Sequence, residues 1–195
     1  MFTGIIEEIG MIRSVKRNSR SALLTIQARM VLDDLKTGDS IAVNGICLTA
    51  TSVGTGSFTA DVMNETLLRT SMAGQTGTKR VNLERAMPAG GRFGGHIVSG
   101  HIDGTGRITA IRRDGIAVWY TITTTPAIMW YIIEKGSVAI DGISLTVASV
   151  AAGSFCVSVI PHTAGQTILP ELRIGSVVNL ENDMIGKYTE TLLRR

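Results

Sequence analysis

The chain states one pattern twice. Residues 40–53, SIAVNGICLTATSV, return as residues 137–150, SVAIDGISLTVASV, with eight of the fourteen positions identical. The echo stays in register. Gly56-Ser57-Phe58 matches Gly153-Ser154-Phe155, and Val81-Asn82-Leu83-Glu84 matches Val178-Asn179-Leu180-Glu181, each 97 positions later. Gly4-Ile5-Ile6 answers Gly100-His101-Ile102 at an offset of 96, so one residue is gained in between. Solenoid units repeat every ~20–50 residues. A period near 97 is instead the length of a small domain. The 195 residues are therefore expected to be two copies of one domain, and the positions where the copies differ are where function is to be sought.

Apolar residues alternate or cluster in short runs, as at Leu23–Ile26, Ile41–Val43, Val118–Ile122 and Val138–Ile140. Turn sequences punctuate them: Thr37-Gly38-Asp39, Asn44-Gly45, Gly54-Thr55-Gly56, Asp114-Gly115 and Asp141-Gly142. Asn-Gly and Asp-Gly tolerate positive φ at both central positions and so predict tight hairpins. About six strands per half predict an all-β fold, an antiparallel barrel or sandwich in each copy. Asn64 is placed to cap a short helix over Glu65–Met72, and Thr163–Leu169 occupies the matching place in the second copy. From Asp183 to Arg195 the apolar Met184, Tyr188 and Leu192 recur every four residues, which predicts an amphipathic helix. That helix either serves assembly or caps the second domain.

Composition narrows the class. Hydrophobic residues make up 44% and charged residues 18%, which is globular rather than disordered. The 19 Lys and Arg form no basic stripe and aromatics are 5%, so no nucleic-acid partner is expected. No apolar run approaches the ~18 residues of a membrane span. The Met-Phe-Thr-Gly start lacks a secretion-signal pattern, so a cytoplasmic location is expected. Cys47 and Cys156 give neither a disulfide framework nor metal spacing.

Three histidines occur. His96 and His101 lie in GGHIVSGHIDG, where flanking glycines let backbone approach a ligand closely. Their H-x4-H spacing has no acidic or cysteine companion, so no metal site is expected. A lone histidine is by default a surface or hydrogen-bonded group, and this is the reading for His96 and His162. The repeat changes it for His101, whose counterpart is Ile5. It also changes the reading of Cys47, whose counterpart is Ser144. Cys156 faces Thr59 across the repeat and reads as a small buried hydrophobe. Lys135 stands before Gly136-Ser137, where the first copy has Thr37-Gly38-Asp39. One half thus carries a thiol, and the other an imidazole, a hydroxyl and an ammonium. Two similar pockets with unequal groups would bind two similar molecules and give them unequal roles, with the strand ends at 61–66 and 158–163 supplying polar contacts.

Four segments in order, Met-Phe-Thr-Gly-Ile, Asn-Gly-x-Cys-Leu-Thr, Gly-Gly-His-x-x-x-Gly-His and Asp-Gly-Ile-Ser-Leu-Thr-Val, make the whole chain resemble riboflavin synthases of the alpha-chain type. The resemblance implies two tandem six-stranded Greek-key β-barrels, at residues 1–96 and 97–186, and a C-terminal helix at 187–195 that joins three chains. It implies transfer of a four-carbon unit between two molecules of 6,7-dimethyl-8-ribityllumazine, giving riboflavin and 5-amino-6-ribitylaminouracil. No metal or redox cofactor takes part in the family. A homotrimer, and association with a lumazine synthase shell, are the implied assemblies, with the active site between the first barrel of one chain and the second barrel of its neighbour.

The resemblance also implies the site residues. Substrate contacts fall at Gly4, Ile5 and Ile6; at Cys47, Leu48 and Thr49; at Asp61, Val62, Met63, Asn64, Glu65 and Thr66; and at Gly100, His101 and Ile102. In the second copy they continue at Lys135, at Ser144, Leu145 and Thr146, and at Ser158, Val159, Ile160, Pro161, His162 and Thr163. Phe2, Cys47 and His101 match positions associated with activity. Some members have two adjacent cysteines where this chain has Ile46-Cys47. The reaction needs a base for the methyl on C7, a carbon acid, and His101 has a suitable intrinsic pKa. It also needs a nucleophile or a hydroxide at C7 of the other molecule, for which Cys47 or Ser144 serves, directly or by holding water. The rival readings are a non-catalytic lumazine- or flavin-binding antenna protein and a plain structural duplication without ligand.

Overall fold

A computed structural model of the chain describes residues 1–73, 75 and 77–194. Arg195, the end of the expected tail helix, lies outside the described residues. The first copy folds as β1 (Glu8–Arg17), β2 (Ser21–Gln27), β3 (Ser40–Val43), β4 (Ile46–Gly54), β5 (Ser57–Met63), α1 (Asn64–Leu68) and β6 (Lys79–Arg85). The second repeats it as β7 (Gly104–Asp114), β8 (Ala117–Thr123), α2 (Pro126–Met129), β9 (Ser137–Ile140), β10 (Ile143–Ala151), β11 (Ser154–Val159), α3 (Pro161–Gln166) and β12 (Val177–Asn182). The chain ends in α4 (Met184–Leu193).

Each set of six strands closes on itself. The order around the first barrel is β1-β2-β5-β4-β3-β6, and the second has the equivalent order. All pairings are antiparallel. Closure leaves no bare strand edge. It needs local bends, and register shifts supply them at matching places, between Ile12 and Ser14 and between Ile108 and Ala110, and again between Ala50 and Ser52 and between Val147 and Ser149. Alternation does the rest. Along β2, Ala22, Leu24 and Ile26 point inward, and along β5, Phe58, Ala60 and Val62 do. Phe155, Val157 and Val159 on β11 fill the second barrel in the same way. Two separate cores result.

The barrels meet at a pseudo-two-fold junction built from repeated residues. Asn44 (φ 47) and Gly45 (φ 78) make one tight turn, and Asp141 (φ 45) and Gly142 (φ 82) the other, as the Asn-Gly and Asp-Gly pairs predict. The two turns lie back to back, and a Cβ on Gly45 would sit 2.7 Å from the Gly142 nitrogen. Asn44 Oδ1 accepts from Asn82 N, while Asn82 Nδ2 donates to the Asp141 carbonyl. The mirror set pairs Asp141 Oδ1 with Asn179 N, and Asn179 Nδ2 with the Asn44 carbonyl. Phe2 and Val98 pair as an antiparallel bridge between the copies and pack with Ala42 and Ala139 into a third, small apolar cluster.

The helices differ from expectation. Asn64 does not cap α1; its side chain donates to the Ser19 carbonyl, Met63 is the cap residue, and the helix stops at Leu68. In the second copy α3 begins at Pro161, whose fixed φ suits a first turn, and a 3-10 turn follows at Leu169–Glu171. The short α2, also opened by a proline, is a further helix beyond those the sequence pattern predicts. The tail helix starts at Met184 rather than at 187, with Asp183 accepting from Ile185 N. Lys187 pairs with Asp103, and the Tyr131 hydroxyl donates to Glu190, so α4 is tied to the second barrel. Its Ile185, Tyr188, Leu192 and Leu193 remain exposed.

Candidate active site

The leading segments of the two copies cross over. Gly4 O accepts from Ser144 N at 2.8 Å, and Gly100 O accepts from Cys47 N at 2.9 Å. The residues at 4–6 therefore lie on the second barrel, and those at 100–102 lie on the first. The cores agree, because Ile6 packs against the second barrel and Ile102 against the first. Glycine is required at both crossings. Gly4 (φ 75) and Gly100 (φ 82) are left-handed, and a Cβ would come within 2.6 Å of Ser144 Cβ or 2.5 Å of Cys47 Cβ.

This crossing corrects the division of chemical groups read from the repeat. The thiol of the first copy and the imidazole of the second copy share a pocket. That pocket, of about 240 Å³, is lined on one side by Cys47, Glu65, Thr66 and Arg69, and on the other by Gly100 and His101. Cys47 comes from the start of β4, and the hairpin Asn44-Gly45 sets its position. Glu65, Thr66 and Arg69 come from α1 and its end, which the buried Leu67 anchors to the first barrel.

In the second barrel, Ser144 at the start of β10 takes the place of Cys47. Its Oγ shares a 2.7 Å hydrogen bond with Nδ1 of His96. His96 is oriented from behind by its own N–H, which donates to the Thr3 carbonyl at 3.2 Å. Burial lowers the His96 pKa below the usual histidine range, with Asp183 pulling weakly the other way. Nδ1 and the serine hydroxyl can each donate or accept in this bond, according to the tautomer of the neutral ring. Nε2 is buried and has no protein partner among the described residues. The sequence reads His96 only as a surface or hydrogen-bonded group, because it lies between the copies with no counterpart for comparison; the structure supplies the partner, Ser144.

The remaining expected positions divide by exposure. Thr49, Asp61, Glu65, Thr146 and His162 are exposed, and Asn64, Thr66, Ser158 and Thr163 are half-buried. Met63 and Ile160 are exposed apolar residues at the barrel mouths, next to α1 and α3. Pro161 opens α3. Leu48, Val62, Leu145 and Val159 are core side chains, so only their backbone can face a ligand. Ile5 is exposed beside a larger hollow of about 720 Å³, which holds none of Cys47, His101 or Ser144. Lys135 sits at φ 65, where the first copy has Gly38 at φ 95. A lysine held in the left-handed region carries backbone strain that glycine avoids. Phe2 is fully buried in the junction cluster, where Cys47 packs against it. It supports Cys47 from beneath. No cluster of three His, Cys, Asp or Glu suited to a metal occurs among the described residues. No helix among them is long and apolar enough to cross a membrane.

Two closed barrels with paired mouths and glycine-bridged straps define a tandem small-molecule-binding protein. The family model for the lumazine binding domain matches it twice, at residues 3–86 and 99–183. The riboflavin synthase of Actinobacillus pleuropneumoniae is 58% identical over 193 residues, covering 99% of this chain and 90% of that protein. The riboflavin synthases of Bacillus subtilis (50% identical, 100% and 91% covered) and Mycobacterium tuberculosis (47%, 100% and 98%) are similar throughout. Among solved structures, LumP complexed with 6,7-dimethyl-8-(1'-D-ribityl) lumazine has the same fold, with a TM-score of 0.84 at 21% identity over 93% of this chain and 99% of that one. The chain belongs to the riboflavin synthase family of lumazine-binding proteins.

Proposed function

We propose that this chain is a riboflavin synthase. It converts two molecules of 6,7-dimethyl-8-ribityllumazine into riboflavin and 5-amino-6-(D-ribitylamino)uracil by moving a four-carbon unit from one to the other. The two substrate molecules contain all the atoms of the two products, so the reaction balances without a co-substrate. The observation that supports the reading is the pairing of unlike groups at equivalent strand positions: Cys47 shares a hollow with His101, and Ser144 is hydrogen-bonded to His96.

Each pocket holds one substrate. The backbone at 47–49, 61–66 and 100–102 frames the first, and that at 4–6, 144–146 and 158–163 the second, with Lys135 adding a cation. His101 takes the proton from the C7 methyl of the lumazine beside it. The Ser144–His96 pair delivers a nucleophile, its own oxygen or a held water, to C7 of the other. Cys47 lies under the ring in the first pocket and keeps its face accessible. Holding both ring systems face to face lowers the barrier by making the bimolecular step effectively unimolecular. The pockets face each other between neighbouring chains of a homotrimer, joined through the bare apolar face of α4, and the enzyme works in the cytoplasm, within a lumazine synthase shell where one is present. An antenna protein would not need the retained Cys47 and His101.

Incubation with 6,7-dimethyl-8-ribityllumazine tests this directly. Riboflavin absorbance should rise with one riboflavin formed per two lumazines consumed. Binding without product would instead support the antenna reading. Light scattering of the full chain against a chain ending at Asp183 should show three copies and one copy respectively, and an unchanged mass would remove the role of α4.

A further inference from the structure

The crossed straps are held by two carboxylates. Glu84, on β6 of the first barrel, is 4% exposed. Its Oε1 accepts from Thr3 N at 2.7 Å and from Thr3 Oγ1 at 3.0 Å, and its Oε2 accepts from Gly4 N at 3.0 Å. Glu181, on β12 of the second barrel, is 1% exposed and repeats the pattern. Its Oε1 accepts from Ser99 N at 2.7 Å and Ser99 Oγ at 2.6 Å, and its Oε2 accepts from Gly100 N at 2.9 Å. Ser99 Oγ in turn accepts from His101 N at 3.2 Å. Each carboxylate therefore fixes two successive N–H groups and a hydroxyl, and the carbonyl that follows crosses to the other barrel.

We infer that Glu84 and Glu181 are positioning residues with crossed reach, each setting the reactive pocket of the barrel it does not belong to. Glu181 stands in the second barrel but holds Ser99 and Gly100, and so places His101 in the Cys47 pocket of the first. Glu84 stands in the first barrel but holds Thr3 and Gly4. It thereby places Gly4 against Ser144, and through the Thr3 carbonyl it places His96, the partner of Ser144 Oγ. Only a carboxylate satisfies three donors with two oxygens; a carboxamide would turn an NH2 group toward an N–H. The two-fold repetition of the geometry, across residues that otherwise differ, argues that strap position is what both carboxylates serve. The consequence is that neither pocket can be set independently, because each depends on a strand of the opposite barrel.

The test rests on the site assignment of the proposed function but has a readout of its own. In the full chain carrying Glu181→Gln or Glu84→Gln, the imidazole NMR signals of His96, His101 and His162 are followed, with His162 in α3 as the internal control. Glu181→Gln is expected to move the His101 signals and leave His96; Glu84→Gln is expected to move His96 and leave His101. Riboflavin formation should fall about 10²-fold in each, the order of loss for a displacement near 1 Å. Movement of the same-barrel histidine, equal movement of both, or movement of neither overturns the inference. If Glu181→Gln does not fold, Ser99→Ala takes its place, and it must move His101 alone. A crossed NMR pattern with unchanged turnover would leave the positioning intact and overturn the catalytic roles given to His101 and His96.

Discussion

The two pockets share a scaffold and differ in chemistry. In both barrels the strand after a positive-φ hairpin is met by a Gly-x-Ile strap from the other copy. In the first, the strand gives Cys47, the strap His101 and the helix Glu65 and Arg69. On the second barrel the equivalent strand gives Ser144, which bonds His96 of the linker, and the strap offers Ile5 where the other strap offers His101. The junction shows the same economy, with Asn44 on one side of the pseudo-axis and Asp141 on the other. Duplication supplies two binding sites cheaply, and a handful of unmatched side chains makes them unequal.

The largest effect should come from removing the groups unique to the first pocket. His101→Gln should lower turnover by about 10²–10⁴-fold with lumazine binding retained, and Cys47→Ser should lower it without abolishing binding. The same change at exposed His162 should leave the rate near wild type. Steady-state kinetics beside a fluorescence binding titration separates these outcomes, and equal losses at His101 and His162 would erase the contrast between pockets.

Next in size is the junction. Burial pushes the Asp141 carboxyl up to about 7 from the ordinary aspartate value of 3.8. Between those values the folded chain holds a proton that the unfolded chain has released, so stability should fall as pH rises from about 4 to about 7 and level off above. Asp141→Asn, which makes the turn resemble Asn44, should remove that slope and gain roughly 2–4 kcal/mol at pH 8. Thermal unfolding at pH 4.5 and pH 8 checks it, and parallel pH profiles for the two proteins would contradict it.

A smaller effect is expected at the straps. Gly100→Ala and Gly4→Ala should each cost about 1–3 kcal/mol from the left-handed backbone, with a further loss from the clash against Cys47 or Ser144. Chemical denaturation should show similar losses for the two, as the repeat geometry demands. The smallest effect belongs to Lys135→Gly, which restores the residue type of the first copy. It should raise stability by up to about 1 kcal/mol while weakening lumazine binding at the second pocket. Unchanged binding would mean that the strained lysine does not serve the ligand.

Much of this was legible in the sequence. The repeat gave the two domains, alternation gave the strands, and Asn44-Gly45 and Asp141-Gly142 gave hairpins with the expected positive φ. The crossing of the straps was not legible. Gly4–Ile6 and Gly100–Ile102 each look like part of the copy they precede, and only the packing of Ile6 and Ile102 decides which barrel they complete. That one fact moved His101 into the pocket of Cys47. Phe2 reads as a functional residue from its place in the family pattern, and the structure puts its ring in the junction core with Cys47 packed against it. Asn64 carried a capping residue's chemistry and spent it on the Ser19 carbonyl instead. In each case tertiary packing chose among local options that the sequence left equal.

The central claim is that unequal groups in equal pockets let two identical substrate molecules react as different partners. A chain carrying Cys47→Ser together with Ile5→His tests it most directly, since it gives each pocket a serine on the strand and a histidine on the strap. Two lumazines per chain should still bind by fluorescence titration, and riboflavin formation should fall by at least about 10²-fold. Turnover within a factor of about two of wild type, with both sites filled, would contradict the account.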